Sequence, residues 1–272
     1  MVRSALLVLM LIAPMIGAHA QSGPAPLPTY KDAPAQGDAE DERTRYLRHA
    51  LNPTRPPELQ GLHERSMGTG FVVAPQALLT NAHVVRDCTK ITAQIGGSGG
   101  DLAVVRVDAV DAEQDLAILH LDKPAPDHAL FEANFVRVDP TELFVVGFPS
   151  LGLPVVEPVL VTAEVRPADL ASPKPRLPFS GDVRHGNSGS PLFDNFGAVI
   201  GIVTQAVNSP VMYSKTGVLV TDVGFAVPSH TIIDFLRKHA IAPPVGERHT
   251  PMSEAERMPE SRKIVARMVC WR

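Results

Sequence analysis

Three short stretches of the sequence hold side-chain types that together can perform nucleophilic acyl transfer. The first runs Gly68-Thr69-Gly70-Phe71-Val72-Val73 and, after a gap, Leu79-Thr80-Asn81-Ala82-His83-Val84-Val85. The second is Gln114-Asp115-Leu116-Ala117-Ile118-Leu119, and the third His185-Gly186-Asn187-Ser188-Gly189-Ser190-Pro191-Leu192-Phe193. Singly, each has an ordinary explanation. A histidine after a strand is usually a core or surface residue, an aspartate can merely open a strand, and glycine-rich serine loops are common turns. In chain order they supply a base (His83), an orienting carboxylate (Asp115) and a nucleophile (Ser188). A serine hydroxyl attacks poorly unless a base takes its proton, and the carbonyl it attacks needs donors for the charge that develops. Glycines around Asn187-Ser188 permit a turn that exposes the hydroxyl. They also let the Gly186 and Ser188 N–H groups converge on one point as an oxyanion hole. His83 would accept the Ser188 proton and pass it to the leaving amine, while Asp115 holds the imidazole in the right tautomer.

With these three motifs the sequence resembles the trypsin-like (chymotrypsin-fold) serine proteases, in their bacterial HtrA/Deg and glutamyl-endopeptidase branches. Thr80-Asn81-Ala82-His83-Val84-Val85 resembles the family's histidine motif, Asp115-Leu116-Ala117 its aspartate motif and Gly186 to Pro191 its serine motif. Gly224-Phe225-Ala226-Val227-Pro228-Ser229 is also similar to HtrA proteases, so the resemblance covers roughly Ser66 to Ile241. It implies an all-β fold of two six-stranded antiparallel barrels with a C-terminal helix, the site lying in the crevice between them. His83 and Asp115 would come from the first barrel and Ser188 from the second. Polypeptide substrates and no cofactor are implied.

The sequence also departs from the family. HtrA proteases usually append PDZ domains, and the residues after Pro243 are too few for one. Asn187 stands where many animal relatives carry an aspartate that pairs with a freed N-terminus, and a neutral amide cannot form that ion pair. For specificity, the resemblance to trypsin puts Asp182 at a pocket position that would select Arg or Lys, with Thr204 and Gln205 on the wall. A solvated loop aspartate is the competing reading of Ser180-Gly181-Asp182. Val203 replaces the histidine of the glutamyl endopeptidases, so a medium apolar residue before the cut is the default expectation. His185 is placed either at the rim of the cleft or simply in an exposed loop. The remaining histidines form no H-x-x-x-H or close acidic pairing, and no metal site is expected. A non-catalytic relative that binds peptides in the same cleft is the alternative. An esterase of the α/β-hydrolase type lacks its G-x-S-x-G elbow here.

The elements that must position these residues read as short strands. Candidates are 70–74, 91–95, 102–108, 116–121, 143–147, 159–165, 197–204, 217–221 and 225–227, punctuated by Gly, Pro, Asn and Asp. Asp194-Asn195-Phe196-Gly197 reads as a hairpin turn. Ser229 is expected to cap one helix with an apolar stripe of Ile232, Ile233, Phe235 and Leu236, ended by Pro243-Pro244. The chain has 272 residues with 26 prolines, which disfavours a helical bundle because proline breaks helix interiors. A net charge of −4 gives no footprint for a polyanion, so no nucleic-acid partner is expected.

Residues 1–20 read as a signal peptide: Arg3, an apolar run from Ala5 to Gly17, then Ala18-His19-Ala20. The run is shorter than the ~20 residues that span a bilayer, so no membrane insertion is expected after cleavage and the protein is expected to be secreted or periplasmic. Residues 21–60 form a proline-rich leader, 61–242 the protease domain and 243–272 a C-terminal tail with a last amphipathic pattern at Ile264, Val265, Met268 and Val269. Export would put Cys88 and Cys270 in an oxidising compartment, where one disulfide or two free thiols are both possible readings. The family's C-terminal helix packs toward the first barrel, and the resemblance places Cys88 on the chain leaving the histidine turn of that barrel. On those grounds the tail is expected to carry Cys270 back to Cys88.

Overall fold

A computed structural model describes residues 56–132, 142–150, 155–166, 175–206, 214, 217, 222–246 and 248–272. The expected signal peptide, residues 21–55 of the leader and residues 218–221 of the strand expected at 217–221 lie outside them. The first strands are β1 (Glu64–Ala74), β2 (Ala77–Thr80), β3 (Lys90–Ile95), β4 (Leu102–Asp111), β5 (Leu116–His120) and β6 (Glu142–Gly147). They continue as β7 (Val159–Val165), β8 (Leu177–Ser180), β9 (Pro191–Asp194), β10 (Val199–Ala206), β11 (Val223–Pro228) and β12 (Val265–Trp271). Among the described residues three α-helices join them: α1 (Ala82–Val85), α2 (Ser229–Lys238) and α3 (Glu254–Arg262).

The strands close into two antiparallel barrels of six, ordered β1-β12-β3-β4-β5-β2 and β10-β11-β8-β7-β6-β9. Closure leaves no unpaired sheet edge in either barrel. The expected architecture is therefore the observed one, with a difference in the chain's path. Residues 243–272 are not a tail outside the domain. Their last strand, β12, fills the slot between β1 and β3, pairing Thr69 with Arg267 on one side and Ile91 with Cys270 on the other. All seven residues of β12 are buried. Met268 faces the main core, while Val269 and Trp271 pack outside the barrel against Leu59. Burying each such side chain contributes roughly 1.5–3 kcal/mol. Leu59 belongs to a short 3-10 turn at Pro57–Leu59, so the end of the leader is part of the same body. Cys88 and Cys270 are joined by a disulfide, their Cα atoms 5.3 Å apart.

The core explains why β6 reads as an unbroken apolar run instead of alternating. Leu143 and Val145 point into the second barrel, whereas Phe144 and Val146 join the cluster shared with the first. Phe144 stacks on Phe193 with ring centroids 4.9 Å apart. From the C-terminal segment, α3 adds Arg257, which lies 5.2 Å over the Phe144 ring and donates to Glu142 at 2.6 Å.

Helix α2 forms where its apolar stripe predicts, but its ends differ. Pro228 occupies the N-cap position, and the Ser229 hydroxyl instead donates to the Glu132 carbonyl. The helix stops at Lys238, before the prolines, where Ala240 takes a left-handed φ of 60°.

Candidate active site

The histidine stretch acquires its shape from β2 and α1. Thr80 ends the strand, Asn81 is the N-cap with extended dihedrals, and His83 sits in the single turn of α1. Asn81 donates its side-chain N–H to the Asp115 carbonyl at 2.9 Å, tying this turn to the start of β5. Asp115 has a left-handed φ of 62°, a conformation that aspartate tolerates better than most residues. The turn aims its carboxylate back at α1. Oδ1 accepts the His83 backbone N–H at 3.0 Å, and Oδ2 accepts His83 Nδ1–H at 2.8 Å. An ionised carboxylate only accepts, so this contact fixes the proton on Nδ1 and leaves the Nε2 lone pair free as a base.

A third donor comes from the second barrel: the Thr204 hydroxyl donates to Asp115 Oδ2. Burial pushes the Asp115 carboxyl up, yet the hydrogen bonds from His83 and Thr204, the His83 charge and the His83 N–H together outweigh burial and hold it below the ordinary aspartate range. Arg176 adds a cation nearby, donating to the Gln114 carbonyl at 3.2 Å and attracted to Asp115.

The serine loop lies between β8 and β9. Gly186 and Gly189 have φ of 94° and 88°, and a Cβ on either would run into the backbone carbonyl of Phe148 or Thr69. Only glycine fits both positions. Asn187 is buried and closes the loop on itself, its Oδ1 accepting the Arg184 N–H at 3.0 Å. The His185 carbonyl is held by Ser150 N–H at 2.6 Å. Among the described residues, neither Gly186 N–H nor Ser188 N–H is spent on a backbone carbonyl. Ser188 and His83 line one cavity of about 310 Å³ with Ser66, Met67, Val84, Ser150, His185 and Gly186. His83, its Nδ1 held by Asp115, thus lines the same cavity as Ser188 and Gly186, whose amides are unspent on backbone carbonyls.

Two residues expected in the specificity pocket have other partners. Asp182 is exposed and forms a bidentate pair with Arg184, at 2.8 and 2.6 Å, and it does not line the cleft beside Ser188. That ion pair holds the Asp182 carboxyl below its usual range. Thr204 gives its hydroxyl to Asp115, so it buttresses the dyad with the group that would otherwise face a substrate. Gln205 lies in β10. The sequence reading passed over Thr69 and Thr80 within their motifs. Both are fully buried, and Thr80 donates to the Thr69 carbonyl at 2.6 Å. A hydroxyl in an otherwise apolar buried run was the available signal, since valine would fill the same space without a polar group to satisfy.

Residues 68–202 match the family model described as Trypsin-like peptidase domain. The serine protease Rv3671c of Mycobacterium tuberculosis is 28% identical over 186 residues, covering 66% of this chain and 43% of that protein. The mitochondrial serine protease HTRA2 of Bos taurus is 32% identical over 179 residues, covering 64% and 36%. A probable periplasmic serine endoprotease, DegP-like, of Rickettsia prowazekii is 31% identical over 182 residues, covering 63% and 34%. The chain spans less than half the length of these curated relatives. The crystal structure of the active form of the Rv3671c protease superposes with a TM-score of 0.51 at 27% identity, covering 66% of this chain and 76% of that one. Two six-stranded barrels, a serine loop with its two unspent amides and a domain match running from the histidine strand through the serine strand agree with one another: residues 68–202 are a trypsin-like peptidase domain, homologous to the HtrA/DegP serine proteases and to Rv3671c.

Proposed function

We propose that this protein is an exported serine endopeptidase that cuts polypeptides through His83, Asp115 and Ser188. The observation that carries the reading is the Asp115 carboxylate, whose two oxygens grip the backbone and ring of His83 and leave Nε2 free beside Ser188 in one cleft. In this scheme Ser188 Oγ attacks the scissile carbonyl while its proton moves to Nε2. The oxyanion is met by Gly186 N–H and Ser188 N–H. The proton then goes to the leaving amine, the C–N bond breaks, and an ester on Ser188 remains. Water, deprotonated by His83, hydrolyses that ester and restores the hydroxyl.

Residues 1–20 are removed on export in this reading, which agrees with the periplasmic naming of DegP-like relatives. With Asp182 tied to Arg184, a medium apolar residue before the cut is favoured over Arg or Lys.

Labelling by a fluorophosphonate probe and turnover of casein test the assignment together. Ser188→Ala and His83→Ala should each abolish turnover with an unchanged circular dichroism spectrum, because neither side chain fills a core. Ser188→Ala protein that still cleaves casein at the wild-type rate would show that the nucleophile lies elsewhere. Folded protein that takes up no label and cleaves no polypeptide would favour the peptide-binding alternative.

A further inference from the structure

Thr69 is wholly buried in β1 of the first barrel, yet its hydroxyl and its backbone N–H both reach the serine loop. Its Oγ1–H donates to the Gly186 carbonyl at 2.8 Å, and the same oxygen accepts Phe148 N–H at 3.0 Å. Its backbone N–H donates to the Ser188 carbonyl at 2.9 Å. Its own carbonyl is held by Thr80. One residue of the opposite barrel therefore grips the carbonyls on both sides of Asn187.

We propose that Thr69 is a positioning residue for the oxyanion hole, fixing the direction in which Gly186 N–H and Ser188 N–H point. This inference rests on the proposed use of those two amides. The geometry follows from planar trans peptides, in which the C=O and N–H of one unit point opposite ways. The carbonyls that Thr69 holds belong to the peptides after Gly186 and after Ser188. Ser188 N–H belongs to the peptide between them, whose Asn187 carbonyl accepts Ser190 N–H at 2.9 Å, so Thr69 clamps that peptide from both sides. The peptide before Gly186 is held from the other end. Its carbonyl, that of His185, rests on Ser150 N–H, and Ser150 follows two residues after Phe148, which Thr69 also holds. Gly186 N–H is thereby turned away from Ser150. The glycine at 186 would otherwise rotate more freely than any other residue, so the anchor must come from outside the loop. The hydroxyl is enclosed as well: a Cβ on Gly147 would lie 2.9 Å from it. Both of its bonds are buried, where an unpaired carbonyl or amide is costly.

Thr69→Val keeps the shape and removes the hydroxyl, leaving the Gly186 carbonyl and Phe148 N–H unpaired. Thr69→Ser restores both bonds. With a peptide amide substrate, the valine variant should lose about 10- to 100-fold in kcat, approaching the roughly 10²-fold loss of a whole oxyanion donor, with KM within about 2-fold. A peptide aldehyde, whose hemiacetal oxygen needs the same amides, should bind more weakly in parallel with kcat. The serine variant should recover to within a few-fold of wild type. Thermal melting run beside the kinetics separates the roles. A valine variant with a lowered melting point but unchanged kcat and aldehyde affinity at a temperature where it is folded would overturn the proposal. If the valine variant does not fold, Thr69→Ala read at low temperature takes its place with the same two outcomes. Ser188→Ala with wild-type turnover would remove the catalytic reading itself, whereas an inactive Ser188→Ala beside a fully active Thr69→Val removes only the role of Thr69.

Discussion

Breaking the Cys88–Cys270 bond should destabilise the domain more than any single core substitution, while leaving catalysis alone. The bond closes a loop with a sequence separation of 182. In the chain-entropy relation a loop of that length restricts the unfolded chain by about 5 kcal/mol at 25 °C. For a domain of this size each kcal/mol moves the melting point by roughly 2–4 °C, so reduction should lower it by about 10–20 °C. The folded state loses less, because β12 keeps its register with β1 and β3 whether or not the sulfurs are joined. The dyad also keeps its bonds, since those run between α1, β5 and β10. Differential scanning calorimetry of oxidised and fully reduced protein, with a double Cys→Ala variant as control, measures the shift. Amide exchange should rise most at Cys270 and Trp271 and least at Val265. A melting point that moves by less than about 3 °C would refute the entropic account. A kcat that falls with reduction at a temperature well below melting would refute the claim that the site is insulated from the closing strand.

Two further outcomes follow from charge. Asp115 is held below the ordinary aspartate range, so its ionised form favours the folded state; that stability is present above the unfolded value of about 3.9 and is lost as pH falls through the lower folded value. Thr204→Val removes one of the donors responsible, so its stability cost should be full at neutral pH and shrink in acid below that window, a trend that urea unfolding across pH can check. At the α3 contact, Glu142 is half exposed while Arg257 is buried against Phe144. Glu142→Gln should therefore cost less than about 1 kcal/mol, whereas Arg257→Ala, which also strips packing from the ring, should cost roughly 2–3 kcal/mol in urea melts.

What the sequence disclosed and what it hid divide along physical lines. Strands such as β7 and β3 were legible because their apolar β-branched runs are bounded by turn residues. β8 and β9 were not, because each contains a proline, which argues against a central strand. Pro191 is the first residue of β9, and Pro178 lies beyond the two pairs that β7 makes with β8, so neither proline removes a needed ladder bond. β12 was hidden for a different reason. Its partner in β1 lies about two hundred residues earlier, and Arg267 in its middle reads as an exposed position. The arginine is instead buried, with its guanidinium against Met67 Sδ at 3.1 Å. At the site, the structure joins His83 to Asp115 and lines one cavity with His83 and Ser188, a meeting of distant residues that the sequence suggested only through their types and order. Thr204 and Asp182 were misplaced in role because a position counted back or forward from Ser188 does not say which neighbour a hydroxyl or carboxylate will choose.

The same long-range closure explains how the two barrels can share one site. Their contributions are not rigid by themselves: His83 sits on a one-turn helix, and Ser188 on a loop whose glycines permit rotation. Order is imposed across the cleft by bonds running in both directions. Thr69 of the first barrel holds the serine loop of the second, and Thr204 of the second holds Asp115 of the first. Behind the cleft, the C-terminal segment spans the same boundary, with Arg257 of α3 on Phe144 of the second barrel and β12 completing the first. A relative sliding of the barrels would break the two threonine contacts together, leaving the buried Gly186 carbonyl without the Thr69 hydroxyl and removing one donor from Asp115. The domain therefore resists that motion with hydrogen bonds at the site and with packing behind it, and the geometry of His83 against Ser188 is set by contacts that neither barrel could supply alone.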